Sequence, residues 1–135
     1  MIVVDASALV EALTGNGAVG EEARSALAAD HRWAAPSHLL LETVSVVRGR
    51  LLGHKISPAV AEEAIKALGD IVVDRVDEST LLHRIWDLRS NLTAYDAAYV
   101  AAAEALGCAL ITADGKLARS TGPRCEIRLL EGFHP

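Results

Sequence analysis

The sequence Ile2-Val3-Val4-Asp5-Ala6-Ser7 determines how the fold of this chain begins. Three consecutive apolar residues predict a short strand over residues 2–5 that is buried on both faces, as strands of a parallel sheet are. Residues 6–13 then follow a helical pattern. The chain therefore begins with a strand that passes directly into a helix, and an acidic side chain lies at the junction.

Apolar strands and helices continue to alternate along the 135 residues. Further strands are predicted over residues 33–35, 71–76, 109–112 and 126–130. Further helices are predicted over residues 21–29, from Pro36-Ser37 to about Gly53, and over 57–68, 78–89, 93–106 and 114–120. No repeat and no linker interrupts the pattern. We therefore expect one α/β domain over residues 1–135, with three α/β/α layers around a mainly parallel sheet of four to five strands.

Composition and charge narrow the possible functions. Hydrophobic residues make up 51% of the chain, which excludes a disordered protein. The net charge is −5, so a broad basic surface for nucleic acid is not expected, and any such contact must be local or shared with a second subunit. The start of the chain has no basic leader, and no apolar run reaches about 20 residues, the length that spans a bilayer. These features predict a cytoplasmic protein that does not insert into membranes.

Four acidic residues lie at or just beyond predicted strand-to-helix junctions: Asp5, Glu42, Asp96 and Asp114. In an open α/β sheet these junctions share the carboxyl edge of the strands, where ligands bind. Each acid also has a simpler explanation. Asp5 and Asp114 fit helix N-caps, Asp96 fits a capping box with Thr93, and a lone helical Glu is usually solvated or ion-paired. The four together nevertheless predict one acidic pocket.

Converging carboxylates require compensation, because two of them about 4 Å apart repel by roughly 4 kcal/mol at an effective dielectric near 20. A hard divalent cation such as Mg²⁺ or Mn²⁺ is the usual compensation, since it prefers oxygen ligands. The hydroxyls of Ser7 and Thr112 lie near two of the acids in sequence and are predicted to support them. The pattern therefore indicates a metal site suited to phosphodiester hydrolysis.

The chain resembles the PIN-domain ribonucleases, and most closely the VapC-type toxins of bacterial type II toxin–antitoxin modules. The resemblance rests on residues 2–7, on Glu42, on Leu92-Thr93-Ala94-Tyr95-Asp96-Ala97-Ala98-Tyr99-Val100-Ala101 and on Ile111-Thr112-Ala113-Asp114. It implies a single PIN-like nuclease domain, a Mg²⁺- or Mn²⁺-dependent endoribonuclease, a homodimer and a cognate antitoxin protein. It also implies that the four acids form the catalytic and metal-binding quartet, supported by Ser7 and Thr112. The chain departs from many relatives after the last acid, where Gly115-Lys116-Leu117 provides no further carboxylate.

Five basic residues could hold the RNA substrate, although each is also explained as a solvated surface charge: Arg48, Arg50, Lys55, Lys116 and Arg119, of which Lys116, Arg119 and Arg48 are the main candidates. The five histidines show no zinc-binding spacing and are predicted to lie at the surface or in an interface. Two other functions stay open from the sequence. One is a metal-dependent phosphatase, and the other is a catalytically inactive PIN-like module that acts through binding alone.

Overall fold

A computed structural model describes residues 1–132 of the chain, so His134 lies outside the described residues. The strands there are β1 (Ile2–Val4), β2 (Trp33–Pro36), β3 (Asp74–Val76), β4 (Ala109–Thr112) and β5 (Ile127–Leu129). The helices are α1 (Ala6–Thr14), α2 (Ala18–Ala28), α3 (Leu39–Leu52), α4 (Pro58–Gly69), α5 (Leu82–Asp87), α6 (Ala94–Leu106) and α7 (Gly115–Ala118).

The strands form one five-stranded sheet in the order β3-β2-β1-β4-β5, and every pair is parallel. The predicted α/β fold with a central parallel sheet is therefore confirmed. The chain runs from β1 outward through β2 and β3, and then returns to place β4 on the other side of β1. Strand order thus reverses between β1 and β4, and ligands of open α/β sheets bind at such a reversal.

The core forms where helices cover the two central strands. Every residue of β1 and β4 is buried, which explains their unbroken apolar sequences. Helix α6 packs against this sheet with seven consecutive buried residues, Ala97–Ala103, five of which are alanines. These small side chains allow the helix axis to lie close to the strands. No helix in residues 1–132 has the length and apolarity needed to cross a bilayer.

Several predicted elements are shorter in the structure, and two of them show the physical reason. The strand predicted over 71–76 begins only at Asp74, because β3 is an edge strand whose partner β2 has just four residues. The helix predicted over 78–89 is split into a 3₁₀ turn at Glu78–Thr80 and α5. The Asp77 side chain accepts from the Ser79 N–H at 2.9 Å, and this local bond favours the turn over a continuous α-helix.

Candidate active site

The four predicted acids all line one open depression of about 400 Å³ at the carboxyl edge of the sheet. Asp5 follows β1, and Asp114 lies two residues beyond the end of β4. Glu42 and Asp96 lie in the first turns of α3 and α6. Residues from four separate segments therefore meet where the strand order reverses.

Asp5 is the most constrained of these acids, with only 4% of its surface exposed. It is the N-cap of α1, and its Oδ1 accepts from the Ala8 N–H at 2.9 Å and from the Ser7 hydroxyl at 2.7 Å. Its Oδ2 accepts from the Thr112 hydroxyl. A carboxylate has about four acceptor positions, so one position on Oδ2 is left for a further ligand.

Ser7 and Thr112 join the loop after β1 to the loop after β4. The Ser7 hydroxyl donates to Asp5 and accepts from the Ala113 N–H at 2.9 Å. Thr112 is fully buried, and its hydroxyl accepts from the Asp114 N–H at 3.0 Å while donating to Asp5. The two predicted supporting hydroxyls thus fix the relative positions of the two loops that carry Asp5 and Asp114.

Asp114 has the capping role that its sequence position suggested. Its Oδ1 accepts from the N–H groups of Lys116 and Leu117, at 2.9 and 3.3 Å, and so caps α7. At the start of α6 the capping side chain is that of Thr93, whose hydroxyl accepts from the Asp96 N–H at 3.2 Å. For Asp114 capping and a functional role are therefore compatible, and both acids line the depression.

Glu42 is held by Tyr99 and lies beside His38, two aromatic residues whose contacts with it sequence reasoning missed. The Tyr99 hydroxyl donates to Glu42 Oε1 at 3.1 Å, and His38 Nε2 lies 3.9 Å from Oε2. His38 was predicted to be at the surface or in an interface; in the structure its side chain is partly buried, 18% exposed, and packs edge-on against Tyr99. Helical spacing was the available signal, since His38 precedes Glu42 by four residues and Tyr99 follows Asp96 by three.

The depression carries negative charge that the described side chains only partly balance. Burial raises the pKa of Asp5 to about 6, despite hydrogen bonds from Thr112, Ala8 and Ser7 that oppose the rise. Burial also raises the pKa of Glu42 and of Asp96, and Asp96 is further affected by the charge of Asp114. These carboxylates are therefore stabilised by any cation that enters the depression.

The donor set fits a hard divalent cation, because it consists of carboxylate oxygens. Within residues 1–132 no group of three or more carboxylate, imidazole or thiol side chains is placed to hold a metal ion without rearrangement. Mg²⁺ does not require such a group, since it usually keeps several waters and binds one or two carboxylates directly. A cation bound here would therefore keep water or substrate in most of its coordination positions.

The predicted basic residues lie in different places. Lys116 is close enough to Asp96 to oppose the rise of its pKa. The Arg119 guanidinium folds over the start of α7, where its Nη1 would lie 2.7 Å from a Cβ at Gly115. Arg48 lies instead in a groove between α3 and α4, so its predicted RNA contact remains a prediction that the depression does not support.

Arg50 is the basic side chain of α3 that lines the depression. It forms an ion pair with Glu11 at 2.6 Å and donates to the Thr14 hydroxyl at 3.0 Å. Helix geometry explains the difference from Arg48. At about 100° per residue, Arg50 lies about 80° around α3 from Glu42, whereas Arg48 lies about 120° from Glu42 in the opposite direction.

Comparison with known proteins identifies the family to which the chain belongs. The model of the PIN domain family matches residues 2–122. VapC ribonuclease Mb0985 of Mycobacterium bovis and ribonuclease VapC9 of Mycobacterium tuberculosis are each 39% identical to this chain over 130 residues, covering 96% of it and 98% of each relative. Ribonuclease VapC1 of Mycobacterium tuberculosis is 40% identical over 129 residues, covering 95% of this chain and 96% of VapC1.

Two crystal structures share the fold at lower identity. VapC20 of Mycobacterium tuberculosis, described as a toxin that cleaves the sarcin–ricin loop, has a TM-score of 0.66 at 20% identity, covering 87% of this chain and 92% of its own. PAE2754 of Pyrobaculum aerophilum has a TM-score of 0.66 at 21% identity, covering 93% and 81%. The family model and the close relatives span most of the sequence. The chain therefore belongs to the PIN-domain family and, within it, to the VapC ribonucleases.

Proposed function

We propose that this protein is an endoribonuclease that hydrolyses RNA phosphodiester bonds with a Mg²⁺ or Mn²⁺ cofactor. The observation that carries the proposal is the convergence of Asp5, Glu42, Asp96 and Asp114 on one depression. Carboxylate oxygens gathered around a cation suit the activation of water near a phosphate. The VapC relatives, which are named ribonucleases, support RNA as the substrate.

The four acids are the proposed metal ligands and catalytic residues. A bound divalent ion supplies Lewis acidity, which ionises water near neutral pH and offsets the charge of the phosphate. Ser7 and Thr112 fix the orientation of Asp5 through hydrogen bonds to its two oxygens, and Oδ2 keeps one acceptor position. Such outer hydrogen bonds hold metal ligands in position and tune their basicity.

Glu42 has a comparable support. The Tyr99 hydroxyl donates to its Oε1 and so fixes the orientation of the carboxylate, while each of its oxygens keeps an acceptor position for a further ligand. The positive charge of Lys116 acts on Asp96, so Lys116 is a candidate to hold a phosphate of the substrate, and Arg119 lies close to the same helix start. In this proposal hydrolysis leaves a 5′ phosphate, and no side chain becomes a covalent nucleophile.

The same family membership supports a biological role. We propose that the protein is the toxin of a type II toxin–antitoxin pair, that it acts as a homodimer, and that a cognate antitoxin protein binds it. The net charge of −5 agrees with an enzyme that holds RNA through a few local cations and not through a broad basic surface. Expression with and without the protein encoded by the adjacent gene tests this role through growth of the host.

The activity is tested with purified protein and total RNA, followed by mapping of new 5′ ends. EDTA should abolish cleavage, and Mg²⁺ or Mn²⁺ should restore it. Asp5→Asn and Asp96→Asn should each abolish cleavage while the protein stays folded. The matched control is Asp70→Asn, because Asp70 is exposed at the end of α4 and far from the acids in sequence.

Two outcomes would contradict the proposal. Cleavage that persists in EDTA, or full activity of the Asp5→Asn, Asp96→Asn double variant, would refute metal-dependent hydrolysis by these acids. Release of phosphate from a small monoester without RNA cleavage would indicate the phosphatase alternative. Binding of RNA or protein partners with no hydrolysis under any metal would indicate the inactive binding module.

A further inference from the structure

An exposed aromatic ring lies at the rim of the acidic depression. Tyr95 immediately precedes Asp96 in the first turn of α6, and it lines the same depression as the four acids. It is 65% exposed, and no other aromatic side chain among the described residues lines that depression. Only 4% of the chain is aromatic, so a ring at this position is a distinctive feature of the site.

The ring of Tyr95 is held in place by an edge-to-face contact with the ring of His38. Its centroid lies 5.5 Å from that of His38 at an interplanar angle of 68°, and His38 in turn lies 4.9 Å from Tyr99. His38 is anchored by Glu78, whose Oε1 lies 3.4 Å from His38 Nδ1 and accepts from the His38 backbone N–H at 3.2 Å. The outermost ring of this three-ring cluster is therefore held in place while much of its surface faces solvent.

When an RNA strand binds with its scissile phosphate in the depression, the bases next to that phosphate lie near the rim of the depression. Single-stranded RNA is held in proteins mainly by cations along the backbone and by aromatic side chains that stack on unpaired bases. Val46 and Val10 form other parts of the wall and offer no flat π surface. The planar guanidinium of Arg50 could stack on a base, but it is engaged by Glu11 and by the Thr14 hydroxyl. Tyr95 is the side chain in this wall with the shape and exposure to receive a base.

We propose that the exposed ring of Tyr95 stacks on an unpaired nucleobase next to the scissile phosphate. The proposal rests on the ribonuclease function proposed above. It assigns the rim of the depression a role that the four acids do not have, because stacking holds the strand by a base while the acids act on the phosphate. The ligand class is a nucleobase of single-stranded or locally opened RNA.

The test uses a short RNA centred on the strongest cut mapped with the wild-type protein. Tyr95→Ala should raise KM by about 5- to 150-fold, the loss expected for one base–aromatic stack. Tyr95→Phe keeps the ring and should rescue the KM, whereas Tyr95→Leu keeps an apolar contact with His38 and should not. Trp86→Ala is the matched control, because Trp86 is also 65% exposed but lies outside the depression and stacks with Arg89.

A second measurement locates the base. The same RNA is made with a single abasic position at each nucleotide that flanks the cut. At the stacked position, removal of the base should raise the KM of the wild-type protein as much as Tyr95→Ala does. The two changes together should then produce no further loss, because both remove the same contact.

Three results would overturn the stacking proposal while leaving the nuclease function intact. The first is an unchanged KM in Tyr95→Ala, and the second is an equal increase in KM in Tyr95→Phe and Tyr95→Ala. The third is that, at every abasic position, the increase in KM from the missing base and the increase from Tyr95→Ala multiply when the two changes are combined. Failure of the wild-type protein to cleave any RNA would instead refute the function on which the proposal rests. Melting temperatures of the variants separate loss of binding from loss of folding, and Tyr95→Leu supplies a second variant if Tyr95→Ala is unstable.

Discussion

Replacement of Asp5 by Asn should abolish cleavage and at the same time stabilise the metal-free protein. Asp5 is 4% exposed, and burial raises its pKa from 3.8 to about 6. At about 1.4 kcal/mol for each tenfold change in proton affinity, this rise corresponds to about 3 kcal/mol of lost stability when the group is ionised. Asn has no charge to desolvate. Its carbonyl can accept from Ala8 and Ser7, and its amide can donate to the Thr112 hydroxyl oxygen.

The effect depends on pH in a defined direction. The pKa of Asp5 is higher in the folded than in the unfolded state, so the folded state binds the proton more tightly. The contribution of Asp5 to the free energy of unfolding is therefore largest below pH 3.8 and is lost as the pH rises to about 6. The stability advantage of Asp5→Asn should be small at low pH, grow across this window and stay constant above it.

Urea denaturation in EDTA, repeated between acidic and mildly alkaline pH, measures this advantage. At neutral pH we expect Asp5→Asn to exceed the wild type by about 1 to 3 kcal/mol, the lower values allowing for weaker hydrogen bonds from Thr112 and Ser7. Asp70→Asn should show no comparable change, because Asp70 is exposed. The reasoning would be refuted if Asp5→Asn were less stable than the wild type at neutral pH. It would also be refuted if the difference in free energy of unfolding between the two proteins were the same at every pH.

Two further substitutions test the groups that hold the acids. Thr112→Val removes a fully buried hydroxyl that donates to Asp5 and accepts from the Asp114 N–H; it should lower the free energy of unfolding by about 1–3 kcal/mol in urea and reduce cleavage. Unchanged stability of this variant would show that the hydroxyl has no such role. Tyr99→Phe removes the hydrogen bond to Glu42 Oε1, and kcat/KM for RNA should fall by about 10- to 100-fold with little change in melting temperature. Wild-type kinetics in Tyr99→Phe would show that Glu42 needs no such support.

The sheet and the acidic site could be predicted because both depend on local patterns. The apolar segments at Ile2–Val4 and Ala109–Thr112 are buried on both faces. Their sequences therefore predict central parallel strands, independently of how the helices pack. Parallel strands place their carboxyl ends at one edge, and this geometry alone brings Asp5 and Asp114 together. Glu42 joins them because it lies in the first turn of a helix that follows β2.

The partners of these acids were not predictable in the same way. The Tyr99–Glu42 bond joins residues 57 positions apart, and it depends on how α3 and α6 pack on the sheet. The burial of His38 has the same origin, since Tyr95 and Tyr99 of α6 cover it. At the edge of the sheet, β3 is shorter than predicted because only Asp74–Val76 pair with β2. Nothing in the sequence of residues 71–76 indicates that the strand begins at Asp74.

Binding of Mn²⁺ to the purified protein tests most directly whether the four carboxylates form one cation site. The charge of Asp96 acts on Asp5 and Glu42, and the charge of Asp114 acts on Asp96, so removal of the Asp96 charge affects all the others. The protein is titrated with Mn²⁺ at neutral pH, and the electron paramagnetic resonance signal of free Mn²⁺ measures how much remains unbound. Binding should be saturable, weakened at least tenfold by Asp96→Asn and unchanged by Asp70→Asn. Absence of Mn²⁺ binding by the wild type with and without RNA, or equal binding by all three proteins, would contradict a shared metal site.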